Sequence, residues 1–135
     1  MEAHPPPSKL NVFLVEDASP VRRRIAEVLS AIPDVVVVGE AEDTATALAQ
    51  IGASGADVAV VDLRLTASSG IDLIAQLSRL QPSLITVVLT NHTGAPFRAA
   101  CEQAGAGFFF DKTSEFAAAC HTIETLVQDR ASAAR

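Results

Sequence analysis

The sequence predicts an α/β protein of five successive strand–helix units, with a parallel five-stranded sheet covered by helices on both faces. Three observations predict it. Five short apolar runs recur along the chain, at residues 11–15, 35–39, 58–62, 84–90 and 107–110. The first four are rich in Val, Ile and Leu without polar alternation, as strands covered on both sides are. Between the runs, apolar residues recur at three- and four-residue steps, the period of helices that pack by one face.

The first run leads into a helix that Ser19-Pro20 opens, with Ser as N-cap and Pro at the first helical position. Val21, Ile25, Val28, Leu29 and Ile32 form its apolar face, and Pro33 closes it. After the second run, a helix follows Asp43-Thr44 and carries Ala45, Leu48 and Ile51 as far as Gly52. The third run is followed by a helix from about Gly70, with Ile71, Ile74, Leu77 and Leu80 on one stripe and a stop before Pro82. The fourth helix begins near Pro96, turns Phe97, Ala100, Cys101 and Ala104 inward, and ends at Gly105. The fifth starts after Ser114 and presents Phe116, Cys120, Ile123 and Val127. Such alternation implies βαβ crossovers. Five units fit the flavodoxin-like strand order 2-1-3-4-5, whose ligands bind at the carboxyl ends of the strands.

A chain of 135 residues with 49% apolar content fits one domain with a substantial core. That domain is expected over residues 10–130, with a polar, proline-rich disordered tail at 1–9 and a short C-terminal tail at 131–135. His4 in the first tail is read as solvated. The net charge of −6 disfavours direct nucleic-acid binding, which needs clustered positive charge. Arg22, Arg23 and Arg24 form the one basic run and are expected on a solvated helix surface. No apolar stretch reaches the length of a membrane span, and the first residues lack a signal-peptide core. Cys101 and Cys120 have neither CxxC spacing nor a histidine at metal-ligand spacing, so both are expected as reduced thiols of a cytoplasmic protein.

The chemistry concentrates at the predicted strand ends. The first strand ends in Glu16-Asp17, the third in Asp62, the fourth in Thr90, and the fifth runs into Lys112. The first and third strands are neighbours in the expected order, so three carboxylates converge. Such a cluster raises at least one pKa unless a cation relieves it, and Mg²⁺ suits an all-oxygen site with one or two carboxylates. Each residue also has a plain role: Asp17 as a capping carboxylate, Asp62 as a turn residue, Thr90 as a strand residue, Lys112 as a surface lysine. Their joint appearance at one end of consecutive strands favours a site.

These segments resemble the response-regulator receiver family. VFLVEDASPVRRRIAEVL is similar to its first strand and helix, with the acidic pair at Glu16 and Asp17. VAVVDLRLTASSGIDLI resembles its phosphorylation strand and loop, with Asp62 and Gly70. VVLTNH supplies the hydroxyl residue as Thr90, and AGAGFFFDKT supplies the aromatic as Phe109 and the lysine as Lys112. The resemblance covers about residues 10–127. It implies that Asp62 accepts a phosphoryl group from a histidine kinase or histidine phosphotransfer protein, a nucleophilic role open to carboxylates. It implies Mg²⁺ held by Asp17, Asp62 and the backbone carbonyl of Arg64, with Glu16 acting through a metal-bound water. Lys112 and Thr90 would contact the phosphoryl oxygens. Thr90 and Phe109 would switch inward together and repack the face of the fourth helix, fifth strand and fifth helix, where a downstream protein or a second copy docks. The protein is then a phosphoacceptor switch and not an enzyme acting on a separate substrate.

The sequence departs from the family at informative places. Thr113 follows Lys112 where proline is frequent, which removes the usual reason for a cis bond. Thr66 stands where proline is frequent four residues after the aspartate. Phe109 has no hydroxyl. Asn91 is bulkier than the small residue usual there and is expected to restrict small phosphodonors. Arg64 and His92 flank the site and are candidates for modulating phosphoryl lifetime. Three consecutive phenylalanines, Phe108 to Phe110, fill core or, with Phe97 and Phe116, form a docking face.

Rival readings are weaker. A receiver-like module independent of phosphorylation does not need the full set Asp17, Asp62, Thr90 and Lys112. A haloacid-dehalogenase-type phosphatase needs an acid where Arg64 stands. A histidine phosphotransfer protein using His121 would be a helical bundle, and a dinucleotide-binding domain would carry GxGxxG after the first strand. With little sequence after residue 127, output is expected through contact with another protein, unless the chain is a fragment.

Overall fold

The computed structural model describes residues 9–66 and 68–133. Apart from exposed Lys9, the expected N-terminal tail and His4 lie outside the described residues. The elements run β1 (Leu10–Val15), α1 (Ser19–Ser30), β2 (Val35–Ala41), α2 (Thr44–Ser54), β3 (Val58–Val61), β4 (Arg64–Leu65), β5 (Ser68–Ser69), α3 (Gly70–Leu80), β6 (Ile85–Thr90), α4 (Ala95–Ala104), β7 (Phe108–Asp111) and α5 (Phe116–Ala133).

Five strands form one parallel sheet in the order β2-β1-β3-β6-β7, which is the expected 2-1-3-4-5. The short β4 and β5 pair antiparallel as a separate ribbon after β3. Side-chain alternation divides the core between the two faces. Phe13, Val15, Ala59, Val61 and Val88 pack with Ala47 and Ile51 of α2, Leu73, Ile74 and Leu77 of α3, and Cys101 of α4. Val12, Leu14, Val58, Val60, Val87 and Leu89 pack with Ile25 and Leu29 of α1 and Ala119 and Ile123 of α5. Full burial of each Val, Leu, Ile or Phe side chain among them stabilises by about 1.5–3 kcal/mol. Phe13 fits because its ring lies over Gly39, where a Cβ would come within 2.5 Å of it.

Several local expectations are corrected. Ser19 is the first helical residue of α1 and not its cap. Extended Ala18 is the N-cap, and its carbonyl accepts from the Arg22 amide. Helix α2 continues past Gly52 to Ser54, because Gly55 at φ 74° supplies the left-handed C-terminal residue. Phe97, expected inward, is 43% exposed in the first turn of α4, whose fully buried residue is Cys101 a turn further on. Its ring packs on His92 instead, at 5.7 Å between centroids. Arg22 is not simply solvated: it donates to the Glu16 carbonyl at 2.8 Å and pairs with Glu40 at 3.3 Å. Helix α5 continues through Ala133, three residues into the segment expected as a tail. No helix among the described residues is long and apolar enough to cross a membrane.

Candidate functional site

The sheet's own ladder places the site. Beyond the strand ends, the Glu16 amide donates to the Ala41 carbonyl, the Asp62 amide to Val15, and the Lys112 amide to Thr90. Each functional residue is therefore fixed by a neighbouring strand one step past regular pairing. Carboxylate oxygens of Glu16, Asp17 and Asp62 all lie within 4.8 Å of one another.

Lys112 closes the cluster. Its Nζ lies 2.5 Å from Glu16 Oε1 and 2.9 Å from Asp62 Oδ2. Burial alone would lower the ammonium pKa, but the hydrogen bonds to Glu16 and Asp62 outweigh it and hold Lys112 above its ordinary value. Burial pushes the Glu16 carboxyl up, against the lowering effect of Lys112 and of the Ala18 amide on Oε2. Among the described residues, the other oxygen of Asp62, Oδ1, meets only the Arg64 amide at 3.5 Å, a marginal contact.

The loop after β3 is shaped to approach this aspartate. The Gly70 amide donates to the Leu63 carbonyl, and the Ser69 hydroxyl caps the Ile71 amide. A Cβ at Gly70 would come within 2.2 Å of the Asp62 carbonyl oxygen, so only glycine fits there. Ser68 accepts from the Thr44 amide, which ties the loop to the start of α2.

Thr90 is fully buried at the end of β6, and its hydroxyl accepts from the His92 amide at 3.1 Å. Phe109 is half-buried on the α2–α4 side of the sheet, with the Arg98 guanidinium 4.4 Å from its ring centre. Phe108 and Phe110 point to the other face and stack 6.4 Å apart. Phe108 is 37% exposed and Phe110 packs inward, so the triplet divides between core and surface. Asn91 is exposed, and its Oδ1 accepts from the Thr113 hydroxyl. No peptide bond among the described residues is cis.

Glu16 and Asp62 thus meet Lys112 directly, with Asp17 in the same carboxylate cluster. Thr90 ends β6 and Phe109 stands on β7, while Asn91 and His92 follow Thr90 in the loop after β6. Two participants, Arg98 and Thr113 as a partner of Asn91, carry no motif. Arg98 lies on an exposed stretch of α4, and only tertiary placement sets it over Phe109. The oxygen-only donor set of Glu16, Asp17 and Asp62 suits a hard divalent cation.

The chain belongs to the response regulator receiver domain family: the family model matches residues 12–124. It is a receiver domain of the two-component signalling kind. Among curated proteins it is 43% identical over 84 residues to the DNA-binding transcriptional activator DevR/DosR of Mycobacterium tuberculosis, covering 62% of this chain and 39% of that protein. It is 32% identical over 103 residues to the response regulator UvrY of Escherichia coli O157:H7, covering 76% and 47%. The chain therefore spans less than half the length of these relatives. Among solved structures it resembles the signal receiver domain of the putative response regulator NarL from Mycobacterium tuberculosis. There the TM-score is 0.79 at 29% identity, covering 93% of this chain and 98% of that one. A LuxR-family two-component response regulator from Aurantimonas gives 0.84 at 27% identity, covering 91% and 88%.

Proposed function

We propose that Asp62 is the phosphoacceptor of a two-component switch, taking its phosphoryl group from a histidine kinase or histidine phosphotransfer protein. The observation that carries this reading is the junction of Asp62 with Lys112, Glu16 and Asp17 at the strand ends. An Asp62 oxygen attacks phosphorus, and the bond to the donor's histidine nitrogen breaks with its electron pair left on nitrogen. As the new P–O bond forms, the Asp62 carboxylate gives up its charge and its pairing with Lys112 weakens. The phosphoryl oxygens then offer Lys112 a replacement anion, while the Thr90 hydroxyl donates to another of them.

Asp17, Asp62 and the Arg64 carbonyl would hold Mg²⁺, with Glu16 acting through a water. When bound, the ion would neutralise charge on the transferred group. Thr90 moving toward the phosphoryl group vacates space for Phe109, and the face of α4, β7 and α5 repacks to meet a downstream protein or a second copy. This is a population shift, biased by differential contact with phosphate. Arg64 and His92 modulate the lifetime of the phosphorylated form. The role is that of a cytoplasmic signalling switch taking part in its own phosphoryl transfer and dephosphorylation. Intact-mass measurement after incubation with Mg²⁺ and acetyl phosphate tests it. The wild type gains a phosphoryl adduct and Asp62→Asn does not; an equal adduct on both proteins refutes it.

A further inference from the structure

Asn91 and Thr113 stand one residue beyond Thr90 and Lys112, on the two adjoining chains that leave β6 and β7. The Thr113 hydroxyl donates to Asn91 Oδ1 at 3.0 Å. Thr113 is itself fixed, because its amide donates to Asp111 Oδ1 at 2.8 Å, alongside the Ser114 amide at 2.9 Å. These amides hold the Asp111 carboxyl below its usual range, so the turn keeps its anchor at neutral pH.

A carboxamide has one accepting end and one donating end. Thr113 engages the accepting end, which turns the Asn91 NH₂ away from it. A phosphoryl group on Asp62 offers only acceptor oxygens at its surface, so the NH₂ end is the one that complements it. An untethered Asn91 is free to turn its carbonyl oxygen to the same place, where it repels the phosphoryl group and can accept from an approaching water. Proline at position 113 would carry no hydroxyl, so this tether depends on the threonine found here.

We propose that Thr113 is a positioning residue for the chemistry at Asp62: it fixes the Asn91 amide with its N–H end toward the phosphoryl group and so lengthens the group's lifetime. The proposal rests on the reading of Asp62 as phosphoacceptor. In the step that Asn91 retards, water oxygen forms a bond to phosphorus, the bond to Asp62 breaks, and the water proton leaves with solvent. The products are free carboxylate and inorganic phosphate.

The test is to label the protein with acetyl phosphate and Mg²⁺, remove the donor, and follow decay of the adduct by intact mass in wild type, Thr113→Val and Thr113→Ser. An ordinary hydrogen bond sets the scale, so Thr113→Val shortens the lifetime about two- to tenfold, and Thr113→Ser restores it. A second readout does not depend on turnover. Asn11 is the only other asparagine, so the Asn91 side-chain amide is assignable by NMR. With Mg²⁺ and beryllofluoride as phosphoryl mimic, its signal shifts in wild type and Thr113→Ser and stays in place in Thr113→Val. Unchanged decay in a folded Thr113→Val overturns the proposal alone, as does an equal amide shift in all three proteins. Absence of any adduct on the wild type from both acetyl phosphate and a phosphorylated histidine kinase overturns the Asp62 reading and the proposal with it.

Discussion

Replacing Lys112 with alanine removes the cation that bridges Glu16 and Asp62. Both carboxylates are buried, and the Lys112 side chain is only 17% exposed. Removing one partner of a buried ion pair costs about 3–5 kcal/mol, and residual solvent screening places this case near the lower end, at about 3 kcal/mol. For a domain of this size that corresponds to a Tm lower by about 12 °C, at roughly 4 °C per kcal/mol.

The loss depends on pH in a definite direction. Burial already raises the Glu16 pKa above 4.5, and removing Lys112 takes away a lowering contact, so it rises further. A carboxyl whose folded pKa is raised binds protons more tightly when folded, so its contribution falls as pH rises from the unfolded value through the folded one. The cost of Lys112→Ala is therefore small below pH 4.5 and grows toward neutrality. On the alkaline side, the raised Lys112 pKa gives the wild type stability that is present below 10.5 and lost as pH rises through the folded value. Mg²⁺ at 100 times its Kd adds about 2.7 kcal/mol to a state that binds it freely. In the variant it meets carboxylates with no cation beside them, whereas in the wild type Lys112 already neutralises part of the charge on Glu16 and Asp62. Urea unfolding with and without Mg²⁺ at pH 4 and pH 7 measures the acid-side and metal effects, and a series above pH 10.5 measures the alkaline one. Equal stability of the two proteins at pH 7 without Mg²⁺, or equal stabilisation of both by Mg²⁺, refutes the reasoning.

Gly70→Ala forces a Cβ against the Asp62 carbonyl, and overpacking at backbone costs about 3 kcal/mol; unfolding midpoints within error of wild type would show that the loop yields freely. Arg98→Ala removes the cation over Phe109 and is expected to cost about 0.5–1 kcal/mol, with Arg98→Lys retaining most of it; the Phe109 ring resonances should shift in the alanine variant and not in the lysine one. Asn91→Ala opens the rim of the site and is expected to speed labelling by acetyl phosphate, and an unchanged rate contradicts a gating role for Asn91.

Much of the fold was legible because parallel strands buried on both faces read as unbroken Val, Ile and Leu runs, and Asp62 and Thr90 end two of them, while Lys112 stands two residues after the Phe run. Gly55 was hidden by Gly52, since both are plausible helix ends and only the backbone sign of φ separates them. Phe97 obeys helical periodicity yet lies outside the core, because periodicity does not say where the sheet beneath a helix stops. The β4–β5 ribbon has two residues per strand, too few to carry a period. Arg98 over Phe109 and Thr113 on Asn91 arise from packing between elements, which local sequence does not encode.

Location of the phosphoryl group tests the central claim most directly. Borohydride reduces an aspartyl phosphate to homoserine, and peptide mass mapping then identifies the modified residue. Labelling of the wild type with Mg²⁺ and acetyl phosphate should place homoserine at position 62, with Asp17 and Glu16 intact. Reduction at Asp17 or Glu16, or no reduced residue in a protein that carries the adduct, would contradict Asp62 as the acceptor.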